Sequence, residues 1–172
     1  MLRGYTSADY TACLAILDSN IPRFFSLQDR IDFLAFLDAP IGRYSILEND
    51  DGSIIGCGGI ALENGETGIL NWGMIHVDYH RQGWGSILTL ARLSQLSNVP
   101  SVKKIILHTS HETVGFYKKL GFQIVAFTPD FYRQGLHRYD MELSVDDNFQ
   151  HRFTDIGASL LYQRYDHVMI QR

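Results

Sequence analysis

The stretch VDYHRQGWGSILTLARL, residues 77–93, constrains the fold more than any other part of the sequence. An apolar segment ends in a polar turn that holds Gly83 and Gly85, and a run of good helix formers follows without a break. The first amides of a helix have no partners inside it and lie at the positive end of the helix dipole. Glycines that let a ligand approach those amides therefore predict an anion site where a strand leads into a helix.

Two common phosphate-binding motifs do not fit this turn. A Walker loop needs Gly-Lys-Ser or Gly-Lys-Thr, whereas Gly83 is followed by Trp84, Gly85 and Ser86, with no lysine nearby. A dinucleotide fingerprint needs a third glycine at the position of Leu88, and it normally follows the first strand of its domain. Taken by itself, the turn is equally compatible with a simple strand-to-helix connection.

Alternating types of secondary structure surround the turn. Capping boxes predict helix starts at Thr6 with Asp9, at Ser26 with Asp29 and at Thr109 with Glu112. The runs RYSILE, SIIGCGGIAL and TGILNWGMIHV read as strands, separated by the turn sequences NDDG and ENGE. MLRGY, VKKIILH, FQIVAF and LHRYDMEL predict further strands. This order predicts a mixed α/β sheet with helices packed on its faces.

Composition and charge narrow the function classes. At 172 residues, of which 45% are hydrophobic, the chain can bury a sizeable core. Fifteen Lys and Arg against nineteen Asp and Glu, with no basic run, argue against nucleic acid or an acidic membrane as a partner. The two cysteines, Cys13 and Cys57, favour a reducing compartment. Because no segment has the length of a membrane span and the N-terminus lacks an apolar signal core, we expect a cytoplasmic protein.

Two motifs in order carry a family resemblance. HRQGWGS follows a strand ending in IHV, and a later strand and helix end in FYKKLGF. Together they resemble the GNAT superfamily of acetyl-CoA-dependent N-acetyltransferases. The resemblance implies the GNAT-like fold, a central mixed, mostly antiparallel splayed β-sheet flanked by helices. It makes residues 1–145 the acetyltransferase domain and residues 146–172 a C-terminal extension that packs on the domain or on a partner subunit, which leaves a homodimer possible.

The resemblance implies acetyl-CoA as the cosubstrate. In the family, a loop of pattern Gln/Arg-x-x-Gly-x-Gly/Ala binds the coenzyme pyrophosphate through backbone amides. Gly83 and Gly85 match its small positions, His80 stands where the family usually has Gln or Arg, and Ser110 replaces a frequent Asn. The residues that the resemblance assigns to the coenzyme are Ile75, His76, Val77, Arg81, Gln82, Gly83, Trp84, Gly85, Ser86, Ser110, Phe116 and Tyr117.

The resemblance also implies catalytic roles. Tyr117 falls on the tyrosine of the second family motif, which donates a proton to the leaving sulfur. Several members place a glutamate base on the strand corresponding to ILNWGMIHV, where this chain has Asn71, which cannot take a proton. Glu66 or Glu63, in or near the preceding turn, can instead act through a water. His76 titrates in the right range but has the opposite strand parity to Asn71. The sequence leaves the general base open.

Acceptor specificity is expected from the segments NIPRFFSLQD and TPDFYRQG, which lie over the open end of the sheet in the family. Phe24, Phe25 and Tyr132 predict a pocket for a small primary amine with an apolar or aromatic body, and Asp130 is a candidate ammonium partner. Equally, these aromatic residues can simply cover the core. Two other functions remain open, a catalytically silent acyl-CoA-binding module and an acetyltransferase for a protein or peptide amine, which needs an open groove.

Histidine spacing suggests metal sites only weakly. His76 with His80 and His108 with His111 are four and three positions apart in the sequence. The first pair crosses a strand end and the second a predicted helix cap, and no carboxylate completes either set. We therefore expect no metal.

Overall fold

One sheet organises the computed structural model, which describes residues 1–146, 148–149 and 153. In that part of the chain, seven strands pair in the order β1-β2-β3-β4-β5-β7-β6. Their bounds are β1 Leu2–Gly4, β2 Arg43–Glu48, β3 Ile54–Glu63, β4 Thr67–Ile75, β5 Lys104–Ser110, β6 Gln123–Arg133 and β7 Leu136–Ser144. All neighbouring pairs are antiparallel except β4 with β5. The predicted mixed, mostly antiparallel sheet is confirmed.

Four α-helices flank the sheet within the described residues, α1 Tyr10–Asn20, α2 Leu27–Asp38, α3 Trp84–Ser97 and α4 Val114–Lys119. None of these helices is both long and apolar enough to cross a membrane. The capping boxes predicted at Thr6 and Ser26 are confirmed. The box predicted at Thr109 is wrong, because β5 continues through Ser110 and α4 has Thr113 as its N-cap. The Thr109 and Thr113 hydroxyls instead hydrogen-bond to each other.

The helices pack on both faces of the sheet. Consecutive strand residues point to opposite faces. Ile46 and Met74 accordingly pack with α1 and α2, whereas their neighbours Leu47 and Ile75 pack with Leu88 of α3. A second cluster under α3 and α4 also contains Phe149 and Phe153. The start of the predicted C-terminal extension therefore packs on the core, and the rest of that segment lies outside the described residues.

The sheet splits between β4 and β5. Their parallel ladder joins only Thr67–Ile69 to Lys104–Ile106. Further along, β4 has a bulge opposite β3. Cys57 pairs with Met74 and Gly59 pairs with Asn71, so one residue of β3 lies opposite two residues of β4. Trp72, inside the bulge, has a positive φ of 42°. The bulge turns β4 away from β5 and opens a gap between them.

Candidate active site

A cleft of about 720 Å³ occupies the gap between β4 and β5. One end reaches Gly83, Gly85 and Ser86 at the start of α3. The other end reaches Phe25 at the end of the α1–α2 connection and Asp29 of α2. A cleft of this size and shape can hold a long ligand at one end and a second, small ligand at the other.

The start of α3 has the geometry of an anion site. Arg81 and Gly83 both have positive φ, 61° and 88°, which turns the chain so that its amides face the cleft. The first helical hydrogen bond runs from the Ile87 N–H to the Gly83 carbonyl, so the earlier amides have no acceptor inside the helix. A Cβ at Gly83 would meet nothing within 4 Å, and one at Gly85 would meet only the Ile75 Cγ1 at 4.0 Å. The space in front of the amides is therefore open, which fits a phosphate group.

Most of the residues predicted to bind the coenzyme line the cleft: Ile75, Arg81, Gly83, Gly85, Ser86, Ser110, Phe116 and Tyr117. The others predicted for that role, His76, Val77, Gln82 and Trp84, do not line it. Val77 begins a short 3-10 turn instead of continuing β4, and its N–H donates to the Ser19 hydroxyl at 3.2 Å. The Gln82 side chain donates to the Asp78 carbonyl, and Trp84 packs beside Leu88.

His80 lines the cleft, although it was not among the residues predicted to contact the coenzyme. Its Nε2 lies 2.8 Å from the carbonyl oxygen of Ile75, the last residue of β4. Because a carbonyl only accepts, Nε2 carries the proton and donates it. His80 thus ties the turn before α3 to the end of β4.

Tyr117 faces the middle of the cleft from α4. Phe116 and Phe122 contact its ring edge to face, at centroid distances of 5.0 and 5.7 Å. Gly121 ends the helix with a φ of 101°, as its predicted C-terminal position requires. The two ring contacts fix the orientation of the phenol ring.

The bulge brings Asn71 to the cleft floor. Its side-chain oxygen is buried and has no hydrogen-bond partner among the described residues. Arg92 of α3 approaches the same bulge from the other face and is 2% exposed. Its Nη1 lies 3.5 Å from the Asn71 carbonyl oxygen, and a Cβ at Gly73 would be 2.5 Å from its Nη2. Glycine at position 73 is therefore what makes room for the guanidinium.

The side chains considered as the general base, Glu63, Glu66 and His76, do not line the cleft. Glu66 pairs with Lys103 at the closed end of the β4–β5 gap, and Glu63 ends β3 beside it. His76 lies just after the end of β4, as the N-cap of the 3-10 turn Val77–Tyr79, so the strand parity predicted for it does not apply. The His76 ring lies against Tyr79, at a centroid distance of 6.3 Å.

The aromatic residues predicted to form an acceptor pocket, Phe24, Phe25 and Tyr132, all line the cleft. Trp72 joins them from the bulge and stacks on Phe25 with ring centroids 6.3 Å apart. Burial raises the pKa of Tyr132 to about 12, so its hydroxyl stays protonated near neutral pH. The chamber is apolar along its walls and offers a neutral hydroxyl.

Asp130 lies outside the cleft, in contrast to its predicted role. Its carboxylate accepts a 2.7 Å hydrogen bond from the Gly135 N–H and so stabilises the turn between β6 and β7. Asp29 and Asp32 of α2 line the acceptor end instead. One oxygen of Asp29 accepts both capping bonds from Ser26, which leaves the other oxygen free for a cation.

The sequence did not single out a further group, a cluster of His108, Arg138 and Asp140. His108 and Arg138 line the cleft. His108 Nδ1 lies 2.8 Å from Asp140 Oδ1, and Arg138 Nε donates to the same oxygen at 2.6 Å. His108 and Asp140 are directly paired across β5 and β7, a register that only the folded sheet reveals.

No group of His, Cys, Asp and Glu side chains among the described residues is arranged to bind a metal ion.

A splayed sheet with an open anion site at the start of α3 defines the class of N-acyltransferases that the two motifs suggested. The sequence model for the Acetyltransferase (GNAT) domain matches residues 38–145. The chain therefore belongs to the GNAT acetyltransferase family.

A curated relative and several solved structures agree with this assignment. Serotonin N-acetyltransferase from Mesocricetus auratus is 36% identical over 61 residues, which is 36% of this chain and 30% of that protein. The ribosomal-protein-S18-alanine N-acetyltransferase from Escherichia coli superposes with a TM-score of 0.70 at 16% identity, over 86% of this chain and 97% of that one. An aminoglycoside 6'-N-acetyltransferase complexed with coenzyme A gives 0.67 at 11% identity, over 84% and 96%. At these identities the structures show the shared fold.

Proposed function

We propose that this protein transfers the acetyl group of acetyl-CoA to the primary amine of a small molecule by direct attack in a ternary complex. The observation that carries the proposal is a single cleft that joins the α3 anion site, Tyr117 and an aromatic chamber with carboxylates. Such a cleft can bring a thioester and an amine into contact without a covalent enzyme intermediate.

The coenzyme end supports acetyl-CoA as the cosubstrate. The free amides at Gly83 and Gly85 suit a pyrophosphate. Beyond Ile69, the edge of β4 that faces the gap has no pairing with β5, so its main-chain groups are available to an extended amide-containing arm. The solved aminoglycoside 6'-N-acetyltransferase, which has the same fold, is complexed with coenzyme A.

The chemistry needs an acid for the leaving group. When the amine nitrogen attacks the thioester carbon, the C–N bond forms, the C–S bond breaks and the sulfur leaves as a thiolate. Tyr117 faces this part of the cleft and can give its phenolic proton to the sulfur. The exposed main-chain amides of the β4 bulge can hydrogen-bond the carbonyl oxygen as it gains negative charge.

The acceptor end favours a compact ammonium ion with an apolar body. Phe25, Trp72 and Tyr132 supply flat apolar surface, and Asp29 and Asp32 supply negative charge beside it. One relative is named for serotonin, a small aromatic amine, whereas others are named for an aminoglycoside and a ribosomal protein. The aromatic walls support a small amine with an apolar body.

A panel of acceptors tests the proposal. Thiol release from acetyl-CoA is measured with arylalkylamines, polyamines, amino acids and peptides that carry a free N-terminus, and the products are identified by mass spectrometry. We expect the highest kcat/KM with a small amine that has an apolar body. Preference for the peptides would instead identify a protein acetyltransferase. Tight acetyl-CoA binding with no turnover on any amine would identify a silent binding module.

A further inference from the structure

Resting on the proposed function, we propose that His108 of β5 is the general base, and that Asp140 of β7 positions its ring. His108 would remove a proton from the acceptor ammonium so that the nitrogen can attack the thioester. This assigns the role that the sequence left open among Glu63, Glu66, His76 and water.

His108 is accessible from the cleft and has one ring nitrogen engaged. His108 lines the cleft, and its side chain is 47% exposed, so a small substrate or a water can reach it. Nδ1 is engaged 2.8 Å from Asp140. Nε2 has no hydrogen-bond partner among the described residues, which leaves it free to accept a proton.

The Asp140 carboxylate favours the tautomer that a base needs, and it competes with Arg138 for the same nitrogen, His108 Nδ1. Hydrogen bonds from Arg138 and His108 lower the pKa of Asp140 against the opposing effect of burial, so the carboxylate is ionised at neutral pH. An ionised carboxylate only accepts, and it therefore favours the proton on His108 Nδ1. The lone pair then resides on Nε2. In other enzymes, a carboxylate orients a catalytic histidine in the same way.

Arg138 acts in the opposite direction. Its Nη2 lies 2.9 Å from His108 Nδ1, where it can donate only to an unprotonated nitrogen. Its positive charge also disfavours the imidazolium. Arg138 is held at the same time by its 2.6 Å bond to Asp140 and by the Phe131 ring, 4.7 Å from its guanidinium carbon. Asp140 and Arg138 thus place charges of opposite sign beside His108 Nδ1.

Other ionisable groups line the same cleft and can affect its pH dependence. They are Arg23, Asp29, Asp32, Tyr79, His80, Arg81, Arg92, Glu112, Tyr117 and Tyr132. His80 donates its Nε2 proton to the end of β4, so it is occupied as a donor. Glu112 pairs with Arg23 at 2.9 Å. Of the two histidines that line the cleft, His108 is the one whose ring pairs with a carboxylate, that of Asp140.

The proton balance is simple. The ammonium gives one proton to His108 Nε2, directly or through a water, and His108 passes it to solvent. After the nitrogen attacks, the C–S bond breaks and Tyr117 protonates the sulfur. The second proton lost from nitrogen restores the phenol. The sum is one acetylated amine, one free thiol and one proton released.

The test is the pH dependence of kcat/KM for the wild type and for His108→Gln. General-base catalysis is worth roughly 10²–10⁴-fold. We expect a loss in this range at pH 7 that shrinks about tenfold per pH unit as the pH approaches the pKa of the amine, because the free amine then needs no base. A weakly basic amine, unprotonated at pH 7, should be acetylated by the variant nearly as fast as by the wild type.

His111→Gln is the matched control, because His111 lies nearby in the sequence and does not line the cleft. It should retain the wild-type profile. Melting temperature and coenzyme A binding of both variants report folding separately from chemistry. A wild type without turnover on any amine would overturn the proposed function itself. An active wild type whose profile His108→Gln leaves unchanged, or lowers equally at every pH, would overturn the role of His108 alone.

Two further variants test the opposite signs. Asp140→Asn should lower kcat and move the acidic limb of kcat/KM to lower pH, because the charge that favours the imidazolium is gone. Arg138→Met should move the same limb to higher pH. The assignment would be contradicted if the acidic limb of kcat/KM stayed in place in both variants, or moved in the same direction in both.

Discussion

Gly85→Ala should raise the stability of the free protein and weaken its binding of coenzyme A. Gly85 is the second residue of α3, its φ is not positive, and its added Cβ would meet only one atom, at 4.0 Å. Glycine in a helix costs about 0.5–1 kcal/mol relative to alanine. For a chain of this size, that gain corresponds to a rise of about 1–4 °C in melting temperature.

The same methyl group would occupy the space from which a phosphate reaches the α3 amides. The amides bind a phosphate only when it comes close to them. We therefore expect the Kd for coenzyme A to rise at least tenfold, which is a loss of about 1.4 kcal/mol in binding free energy. Calorimetric titration with coenzyme A and thermal unfolding without it measure the two effects independently.

Gly115→Ala is the matched control for this prediction. Gly115 is the second residue of α4, its Cβ would also meet nothing within 4 Å, and it does not line the cleft. It should give a similar stabilisation with unchanged coenzyme affinity. If Gly85→Ala bound coenzyme A as tightly as the wild type, the amides at the start of α3 would not be the pyrophosphate site.

Three other predictions follow from the packing. Phe25→Ala should raise the KM for the amine several-fold and leave the KM for acetyl-CoA unchanged; equal changes in both would remove Phe25 from the acceptor site. Arg92→Met should keep or raise the free energy of unfolding, because the buried guanidinium has no carboxylate partner among the described residues; a loss of more than about 2 kcal/mol in denaturant unfolding would contradict this. The hydrogen bonds from Arg3 lower the pKa of Asp9 from 3.8 to about 2. Asp9→Asn should therefore destabilise the protein at pH 7, and its deficit relative to wild type should fade as the pH falls from about 4 to 2; a deficit that does not depend on pH would argue against the ion pair.

Local patterns were enough to predict the sheet and the anion site. Gly83 and Gly85 stand out because the turn needs residues without side chains beside a helix start, and a capping box at Ser26 needs only neighbours in sequence. Such features depend on the chain within a few residues, so the sequence carries them directly.

The catalytic side of the cleft depends on long-range geometry instead. The bulge at Trp72 adds one residue to β4 and reverses the alternation of faces in the rest of that strand, which local sequence does not reveal. His108 and Asp140 meet only through the pairing of β5 with β7. Asp29 was visible as a capping residue, but its position in the cleft depends on how α2 packs over the sheet.

The most direct test of the account compares amine-dependent thiol release by the wild type and by Tyr117→Phe, with acetyl-CoA affinity measured in parallel. The acetylated amine should appear in equal amount to the free thiol. The variant should lose roughly 10²-fold or more in kcat while binding acetyl-CoA as tightly as before, because it lacks only the proton for the sulfur. A wild type that binds acetyl-CoA but acetylates no amine, or a variant as fast as the wild type, would contradict the account.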